Sequence, residues 1–164
     1  MIGKPVQDAM NEQINKELFS SYLYLSMAAY FEDKNLAGFA HWMRTQADEE
    51  REHAMKFYDF ILERGGRVML KGIDAPKTEW SSSLEIAEEV AAHEAKVTAS
   101  IYELYEIAMQ EKDYPAQVML QWFISEQVEE EKNAAELVAN LRLIEDRGTA
   151  VLMLDHRLAK RGGE

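Results

Sequence analysis

Glu50 and His53 stand three residues apart in the stretch ADEEREHAMKFYDF, residues 47–60, which has one apolar helical face and one charged face. Residues at that spacing share a helix face. A carboxylate beside an imidazole is ordinary helix surface if it points to water, and a metal-ligand pair if it points inward. Three further glutamates and one glutamine fall into the same kind of position elsewhere: Glu17, Glu94, Gln127 and Glu130. The chain has no cysteine, so disulfides, thiolate metal sites and iron–sulfur clusters are excluded, and any metal must be held by oxygen and imidazole nitrogen.

Whether these side chains meet depends on the elements that carry them. Helical periodicity runs over 5–32, 36–64, 82–112 and 114–146, with a short amphipathic piece over 149–160. Asp33-Lys34-Asn35 closes the first helix and Gly65-Gly66 stops the second. Ser82 and Glu85 have capping-box spacing at the start of the third, and Pro115 falls in the first turn of the fourth, where its missing N–H is harmless. Tight turns make the first and second helices, and the third and fourth, antiparallel hairpins. The crossover over 65–81, with a strand-like bit at 68–70, is long enough to traverse a bundle. The expected fold is therefore all-α: a four-helix bundle of two antiparallel hairpins joined by one long crossover, plus a short C-terminal fifth helix. The 164 residues form a single domain of this kind, with 47% hydrophobic residues to fill its core.

Residues repeating at three and four line a bundle's core. The four seams are apolar at both ends and interrupted midway: Met10, Ile14, Glu17, Ser21, Tyr24, Ala28 and Phe31 on the first helix; Phe39, Met43, Gln46, Glu50, His53, Phe57 and Phe60 on the second. The third carries Ala87, Val90, Glu94, Val97, Ile101, Leu104 and Ala108, and the fourth Ala116, Leu120, Phe123, Gln127, Glu130, Ala134, Leu137 and Leu141. Glu17 and Glu50 lie equally far from their turn, as do Glu94 and Glu130 from theirs. All should converge with His53 and Gln127 in one layer. Burying one unpaired carboxylate costs several kcal/mol, against a domain stability of about 5–15 kcal/mol. No seam lysine or arginine neutralises the layer. Shared protons would neutralise part of it; divalent or trivalent cations fit better. Iron or manganese suits such donors, with zinc as competitor, and the arrangement matches the pattern of di-iron bundles. Tyr24, two turns from Glu17 on the same face, is either a core aromatic with a satisfied hydroxyl or a partner of the metals. Glu49, Glu126 and Glu129 flank the seam and alone read as solvated surface. His41, His93 and His156 lie off the seams and are assigned no chemistry.

The formal charge of −12 argues against nucleic acid, which needs a basic footprint. No segment has the roughly 18 apolar residues of a membrane span. The start, MIGKPVQDAMNEQ, lacks the pattern of a signal peptide, so a cytoplasmic protein is expected. Leu18, Tyr22, Leu25 and Ala29 make a second apolar face on the first helix and suggest a subunit interface.

Four stretches, NEQINKELFSSYLYLSMAAYF, FAHWMRTQADEEREHAMKFYDFILERGGR, HEAKVTASIYEL and DYPAQVMLQWFISEQVEEE, together resemble the non-haem bacterial and archaeal ferritins over nearly the whole chain. The resemblance implies a ferritin-like fold, with 149–160 as the short fifth helix, in a hollow shell of 24 subunits. It implies iron storage and detoxification: a ferroxidase centre oxidises Fe(II) with O2 or H2O2 and passes Fe(III) to a mineral core. Glu17, Glu50 and His53 would hold the first iron. Glu50 would bridge to a second held by Glu94 and Glu130, with Gln127 close by. Glu49, Glu126, Glu129 and Glu130 match a third iron site on the path to the cavity. Tyr24 matches the family's tyrosine beside the centre, a candidate electron donor. The reductant for iron release is not implied.

Two departures from related groups matter. Di-iron oxidases and bacterioferritins repeat Glu-x-x-His on the fourth helix, where this chain has Gln127-x-x-Glu130, which favours iron that passes through over a resident di-iron cofactor. Arg51 stands where bacterioferritins carry a haem-binding methionine, so no haem is expected. A rubrerythrin-like peroxidase would normally bring a cysteine-ligated iron. A DNA-protecting mini-ferritin would place ligands between subunits and carry basic tails. A purely structural bundle would leave the buried glutamates without purpose.

Overall fold

The computed structural model describes residues 1–145 and 147–160. Five helices follow one another: α1 (Lys4–Asp33), α2 (Ala37–Glu63), α3 (Ser83–Gln110), α4 (Tyr114–Ile144) and α5 (Gly148–Leu158). Residue 146, where the sequence pattern ends the fourth helix, lies outside the described residues. The α1–α2 and α3–α4 hairpins are the principal packed pairs, α1 lies against α3, and α5 folds back onto α2.

Local chemistry starts and stops these helices. The Ser82 hydroxyl accepts from the Glu85 N–H at 3.0 Å, while the Glu85 carboxylate reaches back to the Ser81 N–H at 2.6 Å. Asp113 caps α4, accepting from the Ala116 N–H at 3.1 Å, and its carboxylate also holds Arg64 at the end of α2 at 2.9 Å. Asn35 and Lys112, at the two hairpin turns, adopt positive φ of 57° and 53°.

The crossover contains no strand among the described residues, including 68–70. No neighbouring strand is there to pair with. Instead α1 side chains satisfy its backbone: Gln7 accepts from the Arg67 N–H at 2.8 Å and Asn11 from the Met69 N–H at 2.7 Å. Farther along, the Ser26 and Tyr30 hydroxyls donate to the carbonyls of Lys77 and Trp80 at 2.7 and 3.0 Å. The crossover thus runs the length of α1 and delivers the chain to start α3.

The core is divided. One apolar cluster holds Tyr24, Met27, Phe31, Phe39 and Leu137; the other holds Met10, Phe57, Ile101, Leu120 and Phe123. Stacked rings anchor each, Phe31 on Phe39 with centroids 4.9 Å apart and Phe57 on Phe123 at 4.1 Å. Each fully buried large side chain contributes about 1.5–3 kcal/mol. The seams differ from expectation at two places. Ile61, not Phe60, completes the α2 face, because a 3.6-residue turn drifts past a strict three-four alternation. Ser21 is only half-buried; its hydroxyl donates to the Ala47 carbonyl at 2.6 Å. The Leu18, Tyr22, Leu25 and Ala29 stripe remains largely exposed, with Tyr22 48% and Leu25 51% accessible.

A candidate metal centre between the two apolar clusters

Each hairpin supplies part of the polar layer that separates the clusters. Glu17 comes from α1, Glu50 and His53 from α2, Glu94 from α3, and Gln127 and Glu130 from α4, all buried. Glu50 and His53 therefore point inward. One ligand atom each from Glu17, Glu50 and His53 lies within 4.8 Å of the others, the spacing of donors around a single cation. His53 is wedged by edge-on contact with Trp122 and Phe123, and its Nδ1 lies 3.5 Å from Glu50 Oε2.

The carboxylates are held by neutral donors. Gln13 Nε2 donates to Glu17 Oε1 at 2.8 Å, leaving Oε2 buried without a partner. Glu94 accepts from the Tyr24 hydroxyl and, at 3.2 Å, from Gln127 Nε2. Glu130 Oε2 accepts from Gln46 Nε2 at 2.9 Å. Glu50 has neither oxygen satisfied by a protein group. Amides and a phenol orient carboxylates without cancelling their charge, as arginine or lysine would. Glu17, Glu50 and Glu94 are consequently held toward the neutral form. Burial, and next the Glu50 charge, raises Glu17 well above the ordinary carboxyl range. Burial and then Glu94 raise Glu50; burial raises Glu94 against the opposing bonds from Tyr24 and Gln127. Burial and the Glu94 charge likewise hold Tyr24 protonated far above its usual value.

An unsatisfied buried acceptor costs about 1–3 kcal/mol, and three carboxylate oxygens here are in that condition. A cation among Glu17, Glu50 and His53 would satisfy them, and the hard oxygen donors with one imidazole fit iron, manganese or zinc. Glu94 and Glu130 occupy the same layer and act on Glu50 through their charge. Their oxygens are outside the tight group of three.

The four glutamates matched to a third iron site are not gathered as tightly: among the described residues, the close ligand group contains none of Glu49, Glu126, Glu129 and Glu130. Glu126 is half-buried; Glu49 and Glu129 line a cleft of about 860 Å³ among α2, α4 and α5, which Arg157 and Lys160 also border.

Not every polar neighbour of the layer falls on a seam. Gln46, on the α2 seam, is buried as expected; Gln13 is off the α1 seam, and its place four residues before Glu17 is the signal that would have found it. His93, off the seam, is half-buried. Its Nε2 lies 2.7 Å from the Ser20 hydroxyl and its ring meets Tyr24 edge-on, centroids 6.0 Å apart. Burial, aided by the nearby Lys96 charge, pushes it down to about 4.

Comparison with known proteins gives a consistent result. The model of the ferritin-like domain matches residues 7–144. A bacterial non-heme ferritin of Bacteroides fragilis is 42% identical over 161 residues, covering 98% of this chain and 100% of the relative. One from Staphylococcus aureus is 38% identical, covering 98% and 97%. Among solved structures, an open pore ferritin from the archaeon Archaeoglobus fulgidus superimposes with a TM-score of 0.97 at 50% identity, covering 98% of this chain and 99% of that one. An engineered closed form of the same ferritin also gives 0.97 at 50% identity.

Proposed function

The chain belongs to the ferritin family, and on that premise we propose that it stores and detoxifies iron, oxidising Fe(II) in the buried layer and holding the Fe(III) product in a shell of its own copies. The observation that carries this reading is the juxtaposition of Glu17, Glu50 and His53, whose ligand atoms lie within 4.8 Å of each other at the centre of the core. A layer so costly to bury has a purpose only if cations enter it.

Iron is the substrate here and no haem is involved. Glu17, Glu50 and His53 bind one Fe(II), and Glu94 and Glu130 receive a second beside Glu50. Each ion gives one electron to the oxidant, O2 or H2O2, in the manner of a ferroxidase. Carboxylates stabilise Fe(III) more than Fe(II), because the Coulomb attraction grows with the ion's charge. Gln127, in place of a second histidine, leaves the α4 side of the layer poorer in strong ligands, which suits ions that move on. Tyr24, donating to Glu94, is placed to supply an electron or to hold that ligand. Glu49, Glu126, Glu129 and Glu130 form a third iron site on the way out; the cleft shared by Glu49 and Glu129 supports that reading. The assembly is a homo-oligomer of 24 subunits, built in part through the exposed Tyr22 and Leu25 face, and works in the cytoplasm without nucleic acid or membrane. Residues 1–164 act as one domain of this type.

The test is to add a few hundred Fe(II) per shell in air, separate the products by size, and measure iron and protein in each fraction. Iron far above three per chain, eluting with a shell-sized species, is expected. Iron that stops at two per chain, or elutes with dimers, would overturn the storage reading.

A further inference from the structure

We infer that Gln13 is the positioning residue for Glu17, clamping one carboxylate oxygen so that the other is aimed at the metal position, and that Ser100 on α3 sets the orientation of the clamp. The role presupposes the iron site proposed above and adds a part to it.

The geometry is specific. Gln13 is 2% exposed, one helical turn before Glu17 on the same face of α1. Its Nε2 donates to Glu17 Oε1 at 2.8 Å, and its Oε1 accepts from the Ser100 hydroxyl at 2.9 Å. Both ends of the amide are thereby committed, one to a ligand and one to the neighbouring helix. The direction of the amide follows from what its partners can do. With a cation bound, Glu17 is an ionised carboxylate that only accepts, so the NH2 group faces Glu17 in that state. The carbonyl must then face a donor, and Ser100 is one. Its hydroxyl also lies 2.9 Å from the Val97 carbonyl, an acceptor within α3 that competes with Gln13 for the same single proton. With Oε1 held, the remaining oxygen of Glu17 is the one that is buried and unpartnered, and Glu17 is grouped with Glu50 and His53.

The clamp also ties α1 to α3, which pack less extensively than either hairpin. A ligand from one hairpin is thus referenced to the other, which carries Glu94 and Glu130. Ser100 forms part of the wall of a cleft of about 520 Å³ between α1 and α3, so the outer end of the clamp is near solvent while the inner end is dry. Outer partners of metal ligands typically change metal affinity by about 10–100-fold when removed.

The experiment uses Co(II), which reports coordination by its visible spectrum and is not turned over by oxygen, titrated into the assembled protein under anaerobic conditions. Wild type, Gln13→Leu, Gln13→Met, Ser100→Ala, Glu17→Ala and the Gln13→Leu/Glu17→Ala pair are compared, each checked for shell size. The expected result is a rise of about tenfold or more in the Co(II) dissociation constant for whichever Gln13 variant assembles. Its bands should be altered, Ser100→Ala should show a smaller rise, and Gln13→Leu should have no further effect once Glu17 is alanine. That last comparison separates positioning from general loosening, which would act in both backgrounds. Affinity within twofold of wild type in an assembled Gln13 variant would overturn the inference, as would an equal loss with Glu17 already removed. If wild type itself fails to bind Co(II) in the layer, the metal-site reading falls and this one with it.

Discussion

Replacing Glu50 with glutamine should stabilise the metal-free protein above neutral pH and flatten its dependence on pH. Both Glu50 oxygens are buried without partners, and burial with the Glu94 charge raises its carboxyl well above the usual range. Glu17 and Glu94 are raised with it, in each case chiefly by burial. A carboxyl whose folded pKa exceeds its unfolded value contributes its full stability below the unfolded value, near 4.3. That contribution is lost as pH rises through the folded value. Between the two, each such group removes about 1.4 kcal/mol per pH unit. His93 has the opposite sign: lowered to about 4, it contributes stability that is complete above its unfolded value near 6.5 and lost as pH falls toward 4. Asp113, lowered by Arg64 and the Ala116 N–H against its burial, matters only in acid. These groups are common to both proteins, so the difference between Glu50→Gln and wild type isolates the layer. Glutamine is isosteric and cannot ionise. The stability of Glu50→Gln minus that of wild type should grow with pH above the unfolded value near 4.3, by up to about 1.4 kcal/mol per pH unit, until Glu50 has ionised. The assay is denaturant unfolding in chelator at fixed protein concentration from about pH 4.5 to 8.5. Saturating Co(II) should reverse the order, stabilising wild type by about 2.7 kcal/mol per site at a hundredfold excess over Kd. Parallel slopes for the two proteins in chelator, or a variant less stable than wild type at every pH, would refute the picture of a strained carboxylate layer.

Three further outcomes are expected. His53→Ala should slow the first phase of Fe(II) oxidation, followed by stopped-flow absorbance of Fe(III), by about a hundredfold or more while leaving the shell intact, since it removes the one imidazole of the group. Glu129→Ala should leave that first phase unchanged and alter the pace of turnover after two ions per chain; a time course superimposable on wild type would remove Glu129 from the pathway. Gly38→Ala should loosen α5, because a Cβ at Gly38 would sit 1.7 Å from the Asp155 carbonyl oxygen, beside the carboxylate that accepts from the Phe39 N–H at 2.9 Å. Faster amide exchange across Gly148–Leu158 and a stability loss of about 1–3 kcal/mol are the readouts.

The bundle and its crossover were legible because turns and periodicity are local signals. Asp33-Lys34-Asn35 and Gly65-Gly66 end helices wherever they occur, and the height of Glu17 against Glu50 follows from their equal distance to one turn. Burial of Glu94, Gln127 and Glu130 followed from the same seam logic. Less legible were features made by how helices cross. The Gln13–Ser100 bond depends on how α1 meets α3, and Gln13 alone resembles any polar helix residue. His93 lies off the seam as its spacing indicates, and its ring contacts with Phe19 and Tyr24 come from how α1 meets α3. The segment at 68–70 has strand-forming residues but lies against α1, where Asn11 and Gln7 satisfy the backbone. Asp155 capping the start of α2 joins residues too distant in sequence for any local pattern to report.

The central claim is that the layer between the two apolar clusters is where iron binds. Crystals soaked anaerobically in Fe(II) and measured on both sides of the iron absorption edge test it directly. An anomalous peak bounded by Glu17, Glu50 and His53 is expected, with a second beside Glu94 and Glu130. Peaks confined to exposed carboxylates such as Glu129, with none in the core layer, would contradict it.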